Sequence, residues 1–205
     1  MEKAYLYIVN IDALDTERVL SALSEERKAY VLRCTDIQTR QHRAAGELLC
    51  AYALRELGES VNLPFSWQKG EYGKPYLPNS RWRFNIAHSG SYVCCALTDC
   101  MEIGADVEKQ EERDFVALAK RFCSENEYRR LMGFAQEQLK SHFYEFWVRK
   151  EALSKRDGVG MHKDFRTVDV TKWHVCCFER DGYTYAVATD KAFELVVRDV
   201  HVNCL

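Results

Sequence analysis

Ile103-Gly104-Ala105-Asp106-Val107-Glu108 lies at the middle of a 205-residue chain, and its reading organises everything on either side. Side chains two apart on a strand share a face. Asp106 and Glu108 therefore stand side by side, while Ile103, Ala105 and Val107 alternate with them and suit a strand that is otherwise buried. Upstream, Tyr5 to Ile11 reads as a strand and Leu14 to Leu32 as a helix, with Asp15 or Thr16 as its N-cap. A second helix fits Gln38 to Leu57, where Ala45, Leu48, Leu49, Tyr52, Ala53 and Leu57 recur at helical spacing and Gly58 supplies a stop. Phe65 to Gln68 is expected as a short strand, followed by a turn-rich stretch from Lys69 to Ser80. Arg83 to Ile86, Tyr92 to Thr98 and Glu102 to Val107 then read as consecutive strands.

Downstream the same grammar returns. Helices are expected over Asp114 to Phe122, over Glu125 to Met132 with Ser124 as cap, and from about Gln136 to Lys155, closed by Gly158 or Gly160. Strands over Trp173 to Phe178, Tyr183 to Ala188 and Leu195 to Val200 finish the chain. Helices and then strands, twice over, predict an α+β protein of two similar halves, residues 1–101 and 102–205. No residue-level repeat accompanies the pattern.

The bulk properties are those of an ordinary globular protein: 47% hydrophobic, 29% charged and a formal net charge of -2. A near-neutral balance gives no global field for nucleic acid, so any anion site must come from a local cluster. The start of the chain, Met1 to Val9, is too short and too early in charge for a secretory signal. No run approaches the roughly 18 apolar residues of a membrane span. The nine cysteines contain no Cys-x-x-Cys pair. Cys94-Cys95 and Cys176-Cys177 sit in strand-like runs, where neighbours point to opposite faces and serve packing better than metal ligation. Reduced thiols and a cytoplasmic location are expected.

Trp147, Glu151 and Lys155 fall at i, i+4 and i+8 and share one helical face. Glu151 and Lys155 alone would read as a helix salt bridge. Together with Asp106 and Glu108 they read as three hard oxygen ligands and a cation, the donor set of a magnesium site that handles phosphates. Lys150 and Arg149 are expected to add positive charge around the same turn. Glu71-Tyr72-Gly73-Lys74-Pro75 combines a glycine, a cation and a rigid turn, which suits either a plain surface turn or close approach to a phosphate. His88, in Phe84-Asn85-Ile86-Ala87-His88-Ser89-Gly90, ends a strand beside small residues and is either a half-buried structural histidine or a phosphate donor. The chain has no Gly-x-x-x-x-Gly-Lys-Ser/Thr loop, no Gly-x-Gly-x-x-Gly after a strand and no Gly-x-Ser-x-Gly elbow.

The blocks Tyr72 to Pro75, Phe84 to Gly90, Ile103 to Lys109 and Phe146 to Lys155 together resemble the Sfp-type 4′-phosphopantetheinyl transferases. Ala119-Lys120-Arg121-Phe122 and Gly46-Glu47-Leu48-Leu49 are also similar to that family, and the likeness spans nearly the whole chain. The resemblance implies a monomeric pseudodimer in which each half is a small antiparallel sheet packed on helices, with coenzyme A and Mg2+ in the cleft between halves. It implies Asp106, Glu108 and Glu151 as magnesium ligands. Glu151, Lys155 and His88 are the implied catalytic residues. Arg27, Arg43, Gly73, Lys74, Pro75, His88, Ser89 and Lys155 are the implied coenzyme A contacts. The implied partner is an apo acyl or peptidyl carrier protein, docking around Glu111 to Glu127. Two positions depart from the family pattern: Ala87 replaces a hydroxyl before His88, and Tyr30 stands where another cation is expected. Two alternatives carry the same residues: a non-catalytic module that binds coenzyme A or a carrier, and an unrelated magnesium-dependent phosphoester hydrolase.

Overall fold

A computed structural model describes residues 1–158, 164–168, 170 and 173–205. The first half runs β1 (Glu2–Asn10), α1 (Thr16–Ser21), α2 (Glu25–Leu32), α3 (Ile37–Glu56), the two-residue strands β2 (Gln68–Lys69) and β3 (Pro75–Tyr76), then β4 (Arg83–Ser89) and β5 (Tyr92–Thr98). The second runs β6 (Ile103–Lys109), α4 (Phe115–Phe122), α5 (Glu125–Met132), α6 (Leu139–Asp157), β7 (His174–Arg180), β8 (Tyr183–Thr189) and β9 (Phe193–Val200). One sheet has the order β4-β5-β1-β9 and the other β6-β8-β7. In each half, the strand that precedes the helices pairs antiparallel with the second strand of the hairpin that follows them. The molecule is thus a mixed α+β protein with small sheets packed on helices.

The last strand behaves differently from the expectation of one antiparallel sheet per half. β9 leaves the second half and pairs in parallel with β1, with Leu6 opposite Val197, so the first sheet is mixed. The expected helix from Leu14 to Leu32 is two helices, because Ser24 accepts the Arg27 amide and starts α2 afresh. The short strand expected at Phe65 to Gln68 begins only at Gln68. The last long helix is preceded by a 3-10 turn at Gln136–Gln138 and ends at Gly158, whose φ of 71° places it in the left-handed region that favours glycine. The alternative stop, Gly160, lies outside the described residues.

Burial divides the structure into four layers. Helix α3 lays Ala45, Leu48, Leu49 and Leu54 on one face of the first sheet, against Tyr7, Val9 and Cys95. Helix α6 lays Phe143, Val148, Ala152 and Leu153 on the second sheet. The remaining faces of the two sheets meet each other through Leu6, Ile8, Cys94 and Ala96 on one side and Ile103, Val107, Tyr185 and Val187 on the other. Cys94 and Cys95 point to opposite faces, as strand alternation requires, and all nine cysteines are free thiols.

Two local features join the layers where the acids lie. Gly104 has no room for a side chain: an added Cβ would fall 2.1 Å from the Ala152 carbonyl oxygen and 2.2 Å from the Arg156 nitrogen. Glycine therefore lets the α6 backbone close directly onto β6. The second feature is the edge of β6, which would otherwise present unpaired amides. Asn85 Oδ1 on β4 accepts the Ala105 amide at 2.9 Å, and Ser89 Oγ accepts the Lys109 amide at 3.1 Å. Ala87 lies between these two and is buried in the seam between the sheets. Its missing hydroxyl is therefore a packing feature of the seam.

Candidate active site

The site is built where β6, α6 and the end of β4 converge. The close approach at Gly104 brings Lys155 to Asp106, Nζ to Oδ1 at 2.6 Å. Asp106 is 4% exposed, and its second carboxylate oxygen, Oδ2, is buried without a hydrogen-bond partner among the described residues. Burial pushes its carboxyl up to about 7, with Lys155 pulling the other way and Glu108 and Glu151 adding repulsion. Glu151 is also raised, first by burial and secondarily by Glu108, with Lys155 opposing. Lys155 loses stability as an ammonium through burial but gains more from Asp106 and Glu151, so its pKa rises.

Glu108 is held from both halves. Ser89 Oγ donates to its Oε2 at 3.2 Å, and the Trp147 indole donates to its Oε1 at 3.2 Å. Trp147 thus has a polar task beside its packing against Phe122 and Phe143. The charges expected from Lys150 and Arg149 are absent here. Lys150 is one residue from Glu151 and so about 100° around the helix. It is 1% exposed and bound to Glu127 at 2.7 Å and to the Phe165 and Val168 carbonyls. Arg149 pairs with Glu145 at 2.8 Å.

His88 lies at the mouth of the cleft, its ring stacked on His42 with centroids 4.4 Å apart and planes 13° from parallel. A side chain there meets solvent on one side and protein on the others. Partial desolvation, then the neighbouring His42 and Lys155, hold His88 down to about 4, so the ring is neutral at neutral pH. His42 is itself buried, with Nε2 2.7 Å from the Gly90 carbonyl oxygen, and burial lowers its pKa too.

Beyond the histidines a cavity of about 180 Å³ is walled by Arg27, Tyr30, Arg43, Gly73, Pro75 and His88, among others. Three cations surround the ring of Tyr30: Arg43 at 4.4 Å, Arg27 at 4.8 Å and Lys69 at 5.3 Å. Where sequence reading saw a cation missing, the fold supplies Lys69 from β2. Beneath Arg27, Glu47 is 2% exposed and makes an ion pair with Nε at 2.6 Å. Burial pushes Glu47 up to about 7 against the pull of Arg27. Lys74 does not join this wall. Its ammonium donates to Glu102 Oε2 at 2.9 Å and to the Arg156 carbonyl at 2.7 Å.

Of the expected residues, Asp106, Glu108, Glu151, Lys155 and Ser89 thus form one charged cluster. His88, Arg27, Arg43, Gly73 and Pro75 form the adjoining cavity wall. Sequence reading missed His42, Glu47, Lys69 and Glu102. Only Glu47 left a signal, as an acid inside the apolar run Gly46-Glu47-Leu48-Leu49. A second, half-apolar cavity of about 310 Å³ opens on the other side of Glu108, between Arg113, Leu118, Arg121, Phe122 and Trp147.

Among the described residues, no three His, Cys, Asp or Glu side chains are gathered as a metal-holding group. The donor chemistry nevertheless fits a hard cation: three mutually repelling carboxyls, one with a buried oxygen that no described residue satisfies. No helix among the described residues is long and apolar enough to cross a membrane.

Comparison with known proteins gives a consistent match. The profile of the 4'-phosphopantetheinyl transferase superfamily matches residues 102–197. The 4'-phosphopantetheinyl transferase AcpT of Salmonella typhimurium is 32% identical over 161 residues, 76% of this chain and 80% of that one. The 4'-phosphopantetheinyl transferase ffp of Bacillus subtilis is 29% identical over 196 residues, covering 89% and 84%. The Sfp enzyme of Bacillus subtilis strain 168 is 28% identical over 200 residues, covering 91% and 86%. Among solved structures, the Thermotoga maritima holo-[acyl-carrier-protein] synthase aligns with a TM-score of 0.38 and 19% identity, over 45% of this chain and 64% of that one.

Proposed function

The chain belongs to the 4'-phosphopantetheinyl transferase superfamily, and from that premise we propose that it moves the 4'-phosphopantetheine group of coenzyme A onto a serine of an apo acyl or peptidyl carrier protein. The observation that carries the reading is the adjacency of two unlike sites. One is a cationic, aromatic cavity suited to a phosphorylated nucleoside, and the other is a carboxylate cluster with a paired lysine, suited to a pyrophosphate and its counter-ion.

In this reading Arg27, Arg43 and Lys69 face the ribose phosphate, and Gly73 and Pro75 wall the nucleotide. Neutral His88 donates an N–H to the pyrophosphate. Asp106, Glu108 and Glu151 would hold magnesium, which when bound neutralises pyrophosphate charge. The buried Oδ2 of Asp106 supports that assignment, and Ser89 and Trp147 keep Glu108 aimed. The carrier serine oxygen attacks the β-phosphorus as the bond to the α-phosphate oxygen breaks, and 3',5'-ADP leaves. Glu151, or a water it orients, takes the serine proton, consistent with its raised pKa. Lys155 stabilises charge on the leaving oxygen.

The carrier serine is proposed to arrive through the cavity beside Glu108. That cavity offers Arg113 and Arg121 for acidic residues and Leu118, Phe122 and Phe143 for apolar ones. The free thiols fit a reducing compartment such as the cytoplasm. Intact-mass measurement of a panel of apo carriers, incubated with coenzyme A and Mg2+, tests the function. A phosphopantetheine mass gain on at least one carrier is expected. Coenzyme A binding without any gain would favour a binding module, and 3',5'-ADP release without a gain would favour a hydrolase.

A further inference from the structure

The β2–β3 hairpin carries Lys69, Gly73 and Pro75 to the cavity wall, and it is short. Each strand is two residues long and mostly exposed, and a two-stranded hairpin is marginal in water. Its ladder pairs only Gln68 with Tyr76 and Lys69 with Pro75, and its turn adds Gly70 N to the Lys74 carbonyl and Gly73 N to the Gly70 carbonyl, both 2.9 Å, with Tyr76 Oη donating to Gln68 at 2.7 Å. Contacts outside the hairpin add to its hold: Lys69 lies on the Tyr30 ring, and the flanking Trp67 and Leu77 pack on the first core.

Lys74 adds the tether that reaches α6. Its ammonium is shared between the Glu102 carboxylate at 2.9 Å and the Arg156 carbonyl at 2.7 Å. That carbonyl is in the last turn of α6, where carbonyls lack intrahelical partners and the helix end attracts a cation. The lysine stem lies against Gly158, where an added Cβ would meet Lys74 Cδ at 3.3 Å. Glu102 is fixed in turn, accepting Arg83 Nε at 3.3 Å while its own amide donates to Asp190 Oδ1 at 3.0 Å. To touch a nucleotide in the cavity, the ammonium would have to leave both partners.

We propose that Lys74 is a strut rather than a ligand contact, and that Glu102 is a positioning residue for coenzyme A. Through Lys74 it ties the hairpin wall to α6, the helix that presents Glu151 and Lys155. This rests on the coenzyme A reading above, but the mechanical part is testable without it.

The two roles of Lys74 give opposite results for Glu102→Gln. A strut that loses its anchor loosens the wall. The Kd and KM for coenzyme A should then rise about three- to tenfold, the scale of one modest ion pair and hydrogen bond, with kcat within about twofold. Lys74→Met should do the same, and the double variant should be no worse than either single. If Lys74 instead contacts the nucleotide, Glu102→Gln frees its charge and leaves affinity equal or tighter, which overturns the proposal. Arg83→Met, expected to leave affinity unaltered, controls for the other partner of Glu102. In the free protein, Glu102→Gln should speed hydrogen exchange of the Gly70 and Gly73 amides. Unchanged exchange overturns the strut, whereas wild-type protein that binds no coenzyme A overturns the functional reading.

Discussion

Lys155 Nζ sits 2.6 Å from Asp106 Oδ1, and the other oxygen of the same carboxylate is buried with no hydrogen-bond partner among the described residues. A carboxylate satisfied on one side only is costly to bury. Ala105 and Val107 face the seam between the sheets, so alternation turns Asp106 to the other face of β6, toward Lys155 on α6. That cost falls on a carboxyl that also feels the repulsion of Glu108 and Glu151. In the proposed function, a bound magnesium ion would satisfy that oxygen.

The first prediction follows from the carboxyl of Asp106, raised to about 7. Between the ordinary carboxylate range and about 7 the folded chain binds more protons than the unfolded chain. Stability therefore falls as pH rises through that window. His88, lowered to about 4, acts with the opposite sign between about 4 and its ordinary range. A comparison with Asp106→Asn isolates the carboxyl. Melting temperatures from pH 5 to 8 should show the variant gaining on wild type as pH rises, and Mg2+ at pH 8 should raise wild type more. A pH-independent difference would mean that Asp106 ionises normally. Activity should fall at least about a hundredfold, as on removal of a charge-stabilising group.

The second concerns Glu108, aimed by Ser89 and Trp147. Ser89→Ala removes one of these bonds and leaves the Lys109 amide unsatisfied. A hydrogen bond worth about 1 kcal/mol corresponds to roughly fivefold. The Mg2+ concentration for half-maximal activity should rise by about that factor, with Trp147→Phe behaving alike. Magnesium titrations of both variants check it. An unchanged midpoint would leave Ser89 with only its edge-capping task.

Much of this was legible because the decisive elements obey local periodicity. The alternation around Asp106 placed β6, and the i, i+4, i+8 face placed Trp147, Glu151 and Lys155 on α6. What stayed hidden depends on partners distant in sequence. Charge counting put Lys150 in the site, but its direction is set by Glu127 and the Phe165 and Val168 carbonyls. The destination of β9 is a choice between two sheet edges that the strand itself does not encode. Tyr30 looked like a lost cation because Lys69 arrives from a different element. The break at Ser24 was masked because apolar residues continue through Leu20, Leu23 and Val31 as in one helix.

The third prediction isolates proton removal. Glu151→Gln keeps the size of the side chain while removing the base, and its half-buried position demands no repacking. Single-turnover transfer to a carrier should slow by about 10²–10⁴-fold, with the melting temperature nearly unchanged. A near-normal rate would exclude Glu151 as the base.

The fourth tests the contact that assembles the cluster. At Gly104 a methyl group would fall 2.1 Å from the Ala152 carbonyl oxygen and 2.8 Å from the Arg156 Cα. Both are helix backbone, which cannot swing aside like a side chain, so α6 must lift from β6. Gly104→Ala should therefore cost about 3 kcal/mol or more, the upper range for overpacking. The same lift would draw Lys155 from Asp106, so activity should fall further than the unfolded fraction explains. Gly182→Ala is the control: its φ of 77° imposes backbone strain, but nothing lies within 4 Å of the added Cβ. It should lose about 1 kcal/mol and keep its activity per folded molecule. Denaturant melts paired with activity of the folded fraction separate the two. If Gly104→Ala were as mild as Gly182→Ala, the close approach of α6 to β6 could not be what brings lysine and aspartate together.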